Sequence, residues 1–360
     1  MKLRWRCLLL LLIPAQAWCQ GGIGSMPFAN PALLSPALAG LVDGNFGVDI
    51  TSRTRRATLD ETYTTSVVSI GYPYYSQKLN GGLGALVYID GAGGLTTREA
   101  HIQGAWEAPL GRKVRYDHLR AGFSIGLIQL SVDNPQLIFA DQFNAGTGGF
   151  TGVTSETIFT AGESTQPKFD ASIGLVYYRT QKIKGNQELN YYAGFGMHRL
   201  TRPNLAFSDA SDLRVSRRLN VYGGAKLRLR SALDLNANFV FQQQNNSELL
   251  QLGAFGRVVF YEDGKLFENE SAALLFGLNT RLQLGEVPLL NGTIKRSGLE
   301  SMAPFMGLEL ARTLQVGVAA EIILSDNSLL TSSYGGLQVM LSYLIGGKTY
   351  NRPALPFPTF

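Results

Sequence analysis

The three histidines are the residues of this chain best suited to acid–base or nucleophilic chemistry. They are His101, His118 and His198. A hydrolase would need a serine that is activated by a histidine, with a carboxylate or an amide behind the histidine. His101 alternates with Glu99 and Gln103, but no histidine lies in a local nucleophile signature. We therefore interpret the histidines as ordinary polar side chains and expect no catalytic residue.

Metal and cofactor sites have no better support in the sequence. The only cysteines are Cys7 and Cys19, which leaves little for a zinc site. Asp133, Asp141 and Glu156 share one long polar stretch, but their spacing is too wide for a calcium loop. We expect neither a metal nor a cofactor.

Two further patterns could bind a charged ligand. Lys226, Arg228 and Arg230 alternate and form a basic stripe on one face of a predicted strand. Such a stripe could attract anions or dock a partner. Its side chains could instead be solvated or paired with carboxylates, and we favour this interpretation. The stretch GGLGALVYIDGAGGL, residues 81–95, lacks the spacing of a phosphate loop. Its glycines are more typical of strands that bend and pack closely.

The N-terminus predicts export. Basic residues precede an apolar run from Cys7 to Ile13, and a small-residue region offers cleavage after Ala17 or Cys19. The run is too short for a membrane-spanning helix, so we assign residues 1–19 to a signal peptide. Removing this peptide lowers the formal net charge from +5 to +2. The charge therefore gives no argument for binding nucleic acid.

The remaining chain predicts an all-β fold, a transmembrane antiparallel β-barrel of about 14 strands. It contains 41 glycines, 15 tyrosines and 19 phenylalanines, with few charges. Apolar and polar residues alternate as in membrane strands, for example Phe46, Val48 and Ile50 against Asp49 and Thr51. The predicted strands lie near 44–54, 62–72, 80–90, 97–107, 118–131, 167–180, 189–200, 216–230, 233–243, 248–261, 270–284, 299–311, 314–325 and 334–346.

The connections favour a membrane barrel over a soluble sandwich. With a periplasmic N-terminus, long loops such as 132–166 are predicted outside, and tight turns such as 231–233 are predicted in the periplasm. An even strand number returns the C-terminus to the periplasm. We therefore predict a barrel over 44–346 and a periplasmic tail over 347–360, with a proline-containing segment over 20–43.

The hairpin after residue 230 allows a prediction of register. Matching the faces of its charged residues requires a three-residue turn. The predicted pairs are Arg230 with Asp234, Arg228 with Asn236 and Lys226 with Asn238, with the basic stripe facing the lumen.

The segment MPFANPALLSPALAG, residues 26–40, cannot be a barrel strand, because its prolines lack amide donors. From Phe28 onward it resembles the N-terminal signature of the PorP/SprF family of type IX secretion system membrane proteins. That signature has two asparagine-proline motifs and an aromatic-alanine-glycine ending, so Ser35 and Leu38 depart from it. The matching residues are Asn30, Pro31, Pro36, Ala37, Ala39 and Gly40.

The resemblance continues along the chain in the family's order, through residues 81–97, 119–133, 168–178, 191–204 and 335–345. It implies an outer-membrane barrel that serves type IX secretion and gliding motility without making or breaking bonds. The implied partners are a secreted or cell-surface adhesin-like protein, other type IX secretion components and outer-membrane lipid, with no nucleic acid.

Two other functions remain open at this point. One is a transporter or porin for small or hydrophobic solutes, with the proline-containing segment as a plug. The other, a lipid-hydrolysing barrel, is nearly excluded by the absence of a signature. Whatever the function, the apolar side chains of Phe28 and Leu34 would be poorly placed in free solvent. We therefore expect residues 26–40 to fold into the periplasmic end of the barrel or to pack beneath it.

Overall fold

The computed structural model is a closed β-barrel with a short N-terminal segment inside it. The predicted signal peptide, the C-terminal tail and the connection at 262–269 lie outside the described residues. No helix in the described part of the chain is long and apolar enough to cross a membrane. The structure describes residues 23–56, 62–75, 80–92, 94–110, 117–132, 143–144, 149–150, 163–183, 187–207, 212–230, 233–245, 247–261, 271–284, 287–288, 294–295, 298–311, 313–324 and 335–346.

Fourteen antiparallel strands form the barrel, and each pairs with the strands before and after it. We number them β1 to β14 in chain order. They are β1 (Phe46–Arg56), β2 (Thr62–Tyr75), β3 (Asn80–Ala92), β4 (Leu95–Pro109), β5 (Asp117–Val132), β6 (Lys168–Lys182), β7 (Glu188–His198), β8 (Arg218–Arg230), β9 (Leu233–Gln244), β10 (Ser247–Tyr261), β11 (Ser271–Leu284), β12 (Gly298–Leu310), β13 (Leu314–Ile323) and β14 (Gly336–Ile345).

The first and last strands close the barrel. β1 and β14 pair from Phe46 opposite Ile345 to Arg55 opposite Gly336. Closure leaves no open sheet edge in the barrel, and an open edge is not tolerated in a bilayer because its backbone groups would lack partners. All fourteen predicted strands are confirmed, with their ends displaced by a few residues.

The two faces of the wall differ as the alternation predicts. On β13, Val316, Val318 and Ile322 are 39%, 43% and 44% exposed on the outer surface, whereas Gln315 and Glu321 face inward. Apolar side chains on the outside and polar ones inside are the pattern of a barrel that contacts lipid. The predicted alternation is therefore confirmed on this strand.

The two ends of the barrel carry different connections. We call the end where β1 begins and β14 ends the terminal end, and the opposite end the loop end. Two long loop-end connections contain small two-stranded sheets of their own, and the longest connections lie at this end as predicted, although the two-residue connections at 93–94 and 245–246 lie there too. Long connections at the loop end include 133–167, 199–217 and 285–297, and short ones at the terminal end include 183–187, 231–232 and 311–313.

The hairpin between β8 and β9 corrects the predicted register. A bulge between Arg228 and Arg230 adds a residue that regular alternation does not reveal. The true register differs from the predicted one by two residues, which keeps the same faces together. The predicted pairs Arg230 with Asp234, Arg228 with Asn236 and Lys226 with Asn238 are wrong; Arg228 lies opposite Asp234, Lys226 opposite Asn236 and Arg230 opposite Leu233.

Residues 23–41, which we call the plug, form three short helical turns inside the barrel: Pro27–Ala29, Pro31–Leu34 and Pro36–Leu38. Each turn begins with a proline, whose missing amide hydrogen and fixed φ suit the first helical position. The Ser35 hydroxyl caps the third turn by accepting a hydrogen bond from the Ala37 amide at 3.3 Å. The prediction that this segment is not a strand is confirmed.

The outer surface yields a test of the membrane-facing wall. Ile102, near the middle of β4, is 68% exposed on the outside. Replacing it by arginine should lower the free energy of unfolding in lipid vesicles by about 2 to 4 kcal/mol, because a charge at the bilayer midplane lacks solvation. Ile102→Leu is the matched control. Equal stability of the arginine variant and the control in denaturant titrations would contradict a lipid-facing wall.

Candidate functional site: the plugged lumen

The plug runs through the lumen between the two ends of the barrel. Gly40 lies against the Tyr72 carbonyl and Gly82, close to the terminal end of the wall. Ser25 donates a hydrogen bond to Glu321 at 3.2 Å, two residues from the loop end of β13. The segment therefore occupies the interior over most of its height, rather than only one mouth.

Apolar contacts hold the middle of the plug. Phe28 is 2% exposed and meets Tyr192 edge to face, with ring centroids 5.8 Å apart. Leu34 is fully buried. Burying side chains of this size contributes about 1.5 to 3 kcal/mol each. The apolar wall residues in this cluster are Val176, Tyr178, Tyr192, Tyr222, Val240, Phe255, Leu275, Phe305, Ala319 and Met340.

Polar side chains of the wall bind main-chain carbonyls of the plug. Arg120 is the clearest case, donating from Nε to the Ala37 oxygen at 3.0 Å and from Nη2 to the Ala39 oxygen at 2.6 Å. Similar bonds occur on other strands. They join Arg281 to Ile23 (2.7 Å), Gln251 to Gly24 (3.2 Å), Gln103 to Ala32 (3.1 Å), and both Asn220 and His198 to Leu34 (3.0 Å each).

Glycines of the wall let the plug backbone approach. A Cβ atom on Gly122 would lie 2.3 Å from the Ala37 nitrogen, and one on Gly82 would lie 2.3 Å from the Ala39 oxygen. A Cβ on Gly196 would lie 2.4 Å from a plug carbonyl oxygen. No real Cβ atom tolerates such distances to backbone atoms, so these wall positions admit only glycine while the plug is in place. Close packing by Gly82 agrees with our interpretation of the glycine-rich stretch.

The residues of the N-terminal motif take different places in this arrangement. Phe28, Pro36 and Ala37 are buried against the wall, and Gly40 has a positive φ of 64° that favours glycine. Pro31 is half-buried and starts the second turn. Asn30, the remaining motif residue, is 3% exposed and borders a cavity that Thr51, Arg53 and Thr65 also line. This cavity has a volume of about 20 Å³, enough for about one water molecule.

A charged group near the terminal end anchors the plug. Arg120 is fully buried and donates to the Glu107 carboxylate at 2.9 Å. His118 lies 2.9 Å from the other oxygen of Glu107 and stacks on Tyr178, with ring centroids 4.9 Å apart. Arg120 thus bonds the plug and Glu107 together, and a buried charge of this kind is tolerated only when it is so paired.

A second charged group lies near the loop end. The Glu321 carboxylate is 1% exposed and accepts hydrogen bonds from Ser301 at 2.9 Å and from Ser25 of the plug at 3.2 Å. It also pairs with Arg53, and Arg281 lies within 3.5 Å. Since Arg281 also bonds the Ile23 carbonyl, this group holds the other end of the plug.

Two members of the predicted basic stripe face carboxylates. Lys226 lies 3.5 Å from Asp234, and Arg228 lies 3.2 Å from Asp234 and 3.4 Å from Glu188. The structure describes the backbone of Arg230, which belongs to β8, but not its side chain. These contacts correspond to the carboxylate-paired interpretation, and they put neither residue against the plug.

Ser124, His101 and Glu99 form a chain that sequence inspection missed. The Ser124 hydroxyl lies 3.3 Å from His101 Nδ1, and His101 Nε2 lies 3.4 Å from Glu99. The order resembles a hydrolase triad, but Glu99 is also bonded to Arg199 at 2.7 Å. The cavity beside His101 measures about 10 Å³, which would hold no more than about one water molecule. The part of the chain that the structure describes also holds no cluster of metal-binding side chains.

Comparison with known proteins decides the family. The sequence model described as "Type IX secretion system membrane protein PorP/SprF" matches residues 25–343, which include nearly all of the plug and the barrel. The chain belongs to the PorP/SprF family. This confirms the resemblance seen in the N-terminal motif. The protein is accordingly an outer-membrane β-barrel. No curated protein matches the sequence significantly.

Solved structures show weaker similarity. The Pseudomonas putida toluene transporter TodX is 11% identical, with 88% of this chain and 94% of that chain covered and a TM-score of 0.43. The deltaS2 mutant of the TodX monoaromatic hydrocarbon channel is also 11% identical, with 87% of this chain and 92% of that chain covered and a TM-score of 0.47. The β-domain of the Bordetella autotransporter BrkA is 11% identical, with 84% of this chain and 100% of that chain covered and a TM-score of 0.40. These similarities are too low to carry an argument about function.

The way this PorP/SprF protein holds its plug can be tested at Arg120. Arg120→Met removes both carbonyl bonds and leaves the Glu107 carboxylate buried without its guanidinium partner. We expect the free energy of unfolding to fall by about 3 to 5 kcal/mol in denaturant titrations in detergent. Arg214→Met, which breaks an exposed pair with Asp212, should change it by about 0.5 kcal/mol at most. Equal effects of the two variants would show that Arg120 does not anchor the plug.

Proposed function

We propose that this protein is a component of the type IX secretion system, or an accessory to it, that assists the export or surface anchoring of a secreted adhesin-like protein. The observation that supports this most directly is the family match over residues 25–343. The match includes the plug from Ser25 onward as well as the wall. A role shared with the family would therefore involve the plugged barrel as a unit.

The plug inside the lumen supports binding rather than solute flow as the main activity. The plug contacts the wall near both ends, and the cavities described beside Asn30 and His101 hold about 20 and 10 Å³. The cavity beside His101, the partner of Ser124, is too small to admit a substrate. We accordingly propose a scaffold that binds other secretion components and catalyses no reaction.

The proposed orientation follows from the predicted export signal. Residues 1–19 would be removed, and the terminal end would face the periplasm together with the tail over 347–360. The loop end, with the connections at 133–167 and 199–217, would face outward. A large secreted partner would then meet the loops, and periplasmic secretion components would meet the terminal end.

Deleting the gene tests the proposed function. We expect the loss of one large adhesin-like protein, or a few, from the cell surface and the culture medium, measured by quantitative proteomics of both fractions. The wild-type gene should restore the protein, and Ile102→Leu should restore it equally. An unchanged secreted and surface proteome would contradict the proposal.

One observation favours a second candidate, a transporter for hydrophobic solutes. Part of the wall around the plug is apolar and aromatic, including Tyr192, Tyr222, Phe255 and Phe305, whereas the lumen of a porin is polar. If the plug moved aside, this wall would suit an apolar molecule. Slower uptake of a radiolabelled alkane or aromatic hydrocarbon by the deletion strain, with an unchanged secreted proteome, would favour the transporter.

A further inference from the structure

The plug is bound to the wall in the way a peptide ligand is bound. Its main-chain oxygens accept hydrogen bonds from side chains on several strands, including Arg120, Arg281, Gln251 and Gln103. Main-chain carbonyls are present in every polypeptide, so these bonds depend little on which side chains the bound segment carries. The wall thus offers a set of donors that could bind other segments of similar shape.

The plug carries only three polar side chains, Ser25, Asn30 and Ser35. Ser25 and Ser35 donate to the wall, to Glu321 and to the Phe195 carbonyl. The amide group of Asn30 is buried but makes no hydrogen bond to a described residue. Apart from the two serine bonds, recognition therefore rests on carbonyls, on small residues and on apolar anchors such as Phe28.

The wall is shaped to fit a backbone. Gly122, Gly174 and Gly196 present no side chain where residues 34–37 pass, and a Cβ atom on any of them would lie within 2.4 Å of a plug atom. Since the three glycines are on neighbouring strands, β5, β6 and β7, they form a groove across the wall. A groove of this kind accepts a closely approaching main chain and excludes a wall side chain.

The plug is also a poor folding unit by itself. It consists of three turns of three or four residues, which are far too short to be stable in water. Its order comes from the wall, as the order of a bound peptide comes from its receptor. The chain then reaches β1 through an exposed residue, Asp43.

We propose that the lumen is a polypeptide-binding channel, that the plug is its resident ligand, and that a small-residue, apolar, proline-containing segment of a secreted polypeptide can replace the plug. The source of the replacing segment rests on the proposed function. The binding property itself does not, because it depends only on contacts within this chain.

Cutting the folded protein tests the inference. A protease recognition site inserted after Asp43 allows the full chain to fold first and the link to be cut afterwards. We expect the freed plug to stay bound through size-exclusion chromatography in detergent. A synthetic peptide of residues 23–43, labelled at its C-terminal end, should then exchange into the cut protein and raise the fluorescence anisotropy. The uncut protein should not take up the label.

Competition between peptides shows which side chains of the plug the channel recognises. A peptide that keeps Phe28, Leu34, the three prolines and both glycines, Gly24 and Gly40, with alanine elsewhere, should compete within about tenfold of the native peptide, a difference of about 1.4 kcal/mol. A Leu34→Asp peptide should lose competition, because its charge would be buried without a partner. Equal competition by both peptides, or no exchange of the native peptide, would overturn the inference.

Wall variants separate binding from folding. Gly122→Val should weaken peptide binding at least about tenfold, because the new side chain occupies the path of the plug. In Gly91→Val, the matched control, the added Cβ has no neighbour nearer than 3.8 Å, and binding should be unchanged. Heat-modifiable migration on gels reports whether each barrel is folded. Equal binding by two folded variants would also count against the channel.

The two proposals fail separately. An altered secreted proteome in the deletion strain without any peptide exchange would overturn only the channel. Peptide exchange with an unchanged secreted proteome would overturn only the proposed secretion role.

Discussion

A barrel of fourteen strands is too wide for its own inward side chains to fill. Barrels of about eight strands are just filled by their wall residues, and wider ones hold water or a separate plug. Here residues 23–41 supply the missing interior. The glycines that face this segment, the aromatic residues around Phe28 and the carbonyl-binding side chains all follow from that need. The inner face of the wall is therefore matched to the main chain and the apolar side chains of the segment that it encloses.

Charge inside the barrel depends on the same segment. Arg120 is fully buried, and its donors are divided between Glu107 and two plug carbonyls. Glu321 is bonded both to wall arginines and to Ser25. Removing charges from water is tolerated only when each finds partners. The plug and the buried ions stabilise one another, so the polar groups of the lumen form one unit with the apolar core.

The strands were predictable because lipid imposes a strict alternation on the outer face, as β13 illustrates. The register of β8 and β9 was not, since a bulge at Leu229 leaves no mark on the alternation. The proline-containing motif was predicted to pack in or beneath the barrel, since its apolar residues needed cover. How it is held could not be predicted, because carbonyl bonds leave no pattern in the sequence. The contact of Ser124 with His101 was hidden because only strand pairing brings them together.

The position of the plug at the start of the chain has a consequence for assembly. Its loop-end contacts join Ser25 to Glu321 and Met26 to Gln338, positions 296 and 312 residues apart. Contacts of such sequence separation form slowly, because a long loop must close before they are gained. Residues at the start of the chain thus obtain their last partners only when the final two strands are in place. The pairing of β1 with β14 that closes the barrel involves one of the same two strands, so completion of the wall and seating of this end of the plug belong to the same late stage of folding.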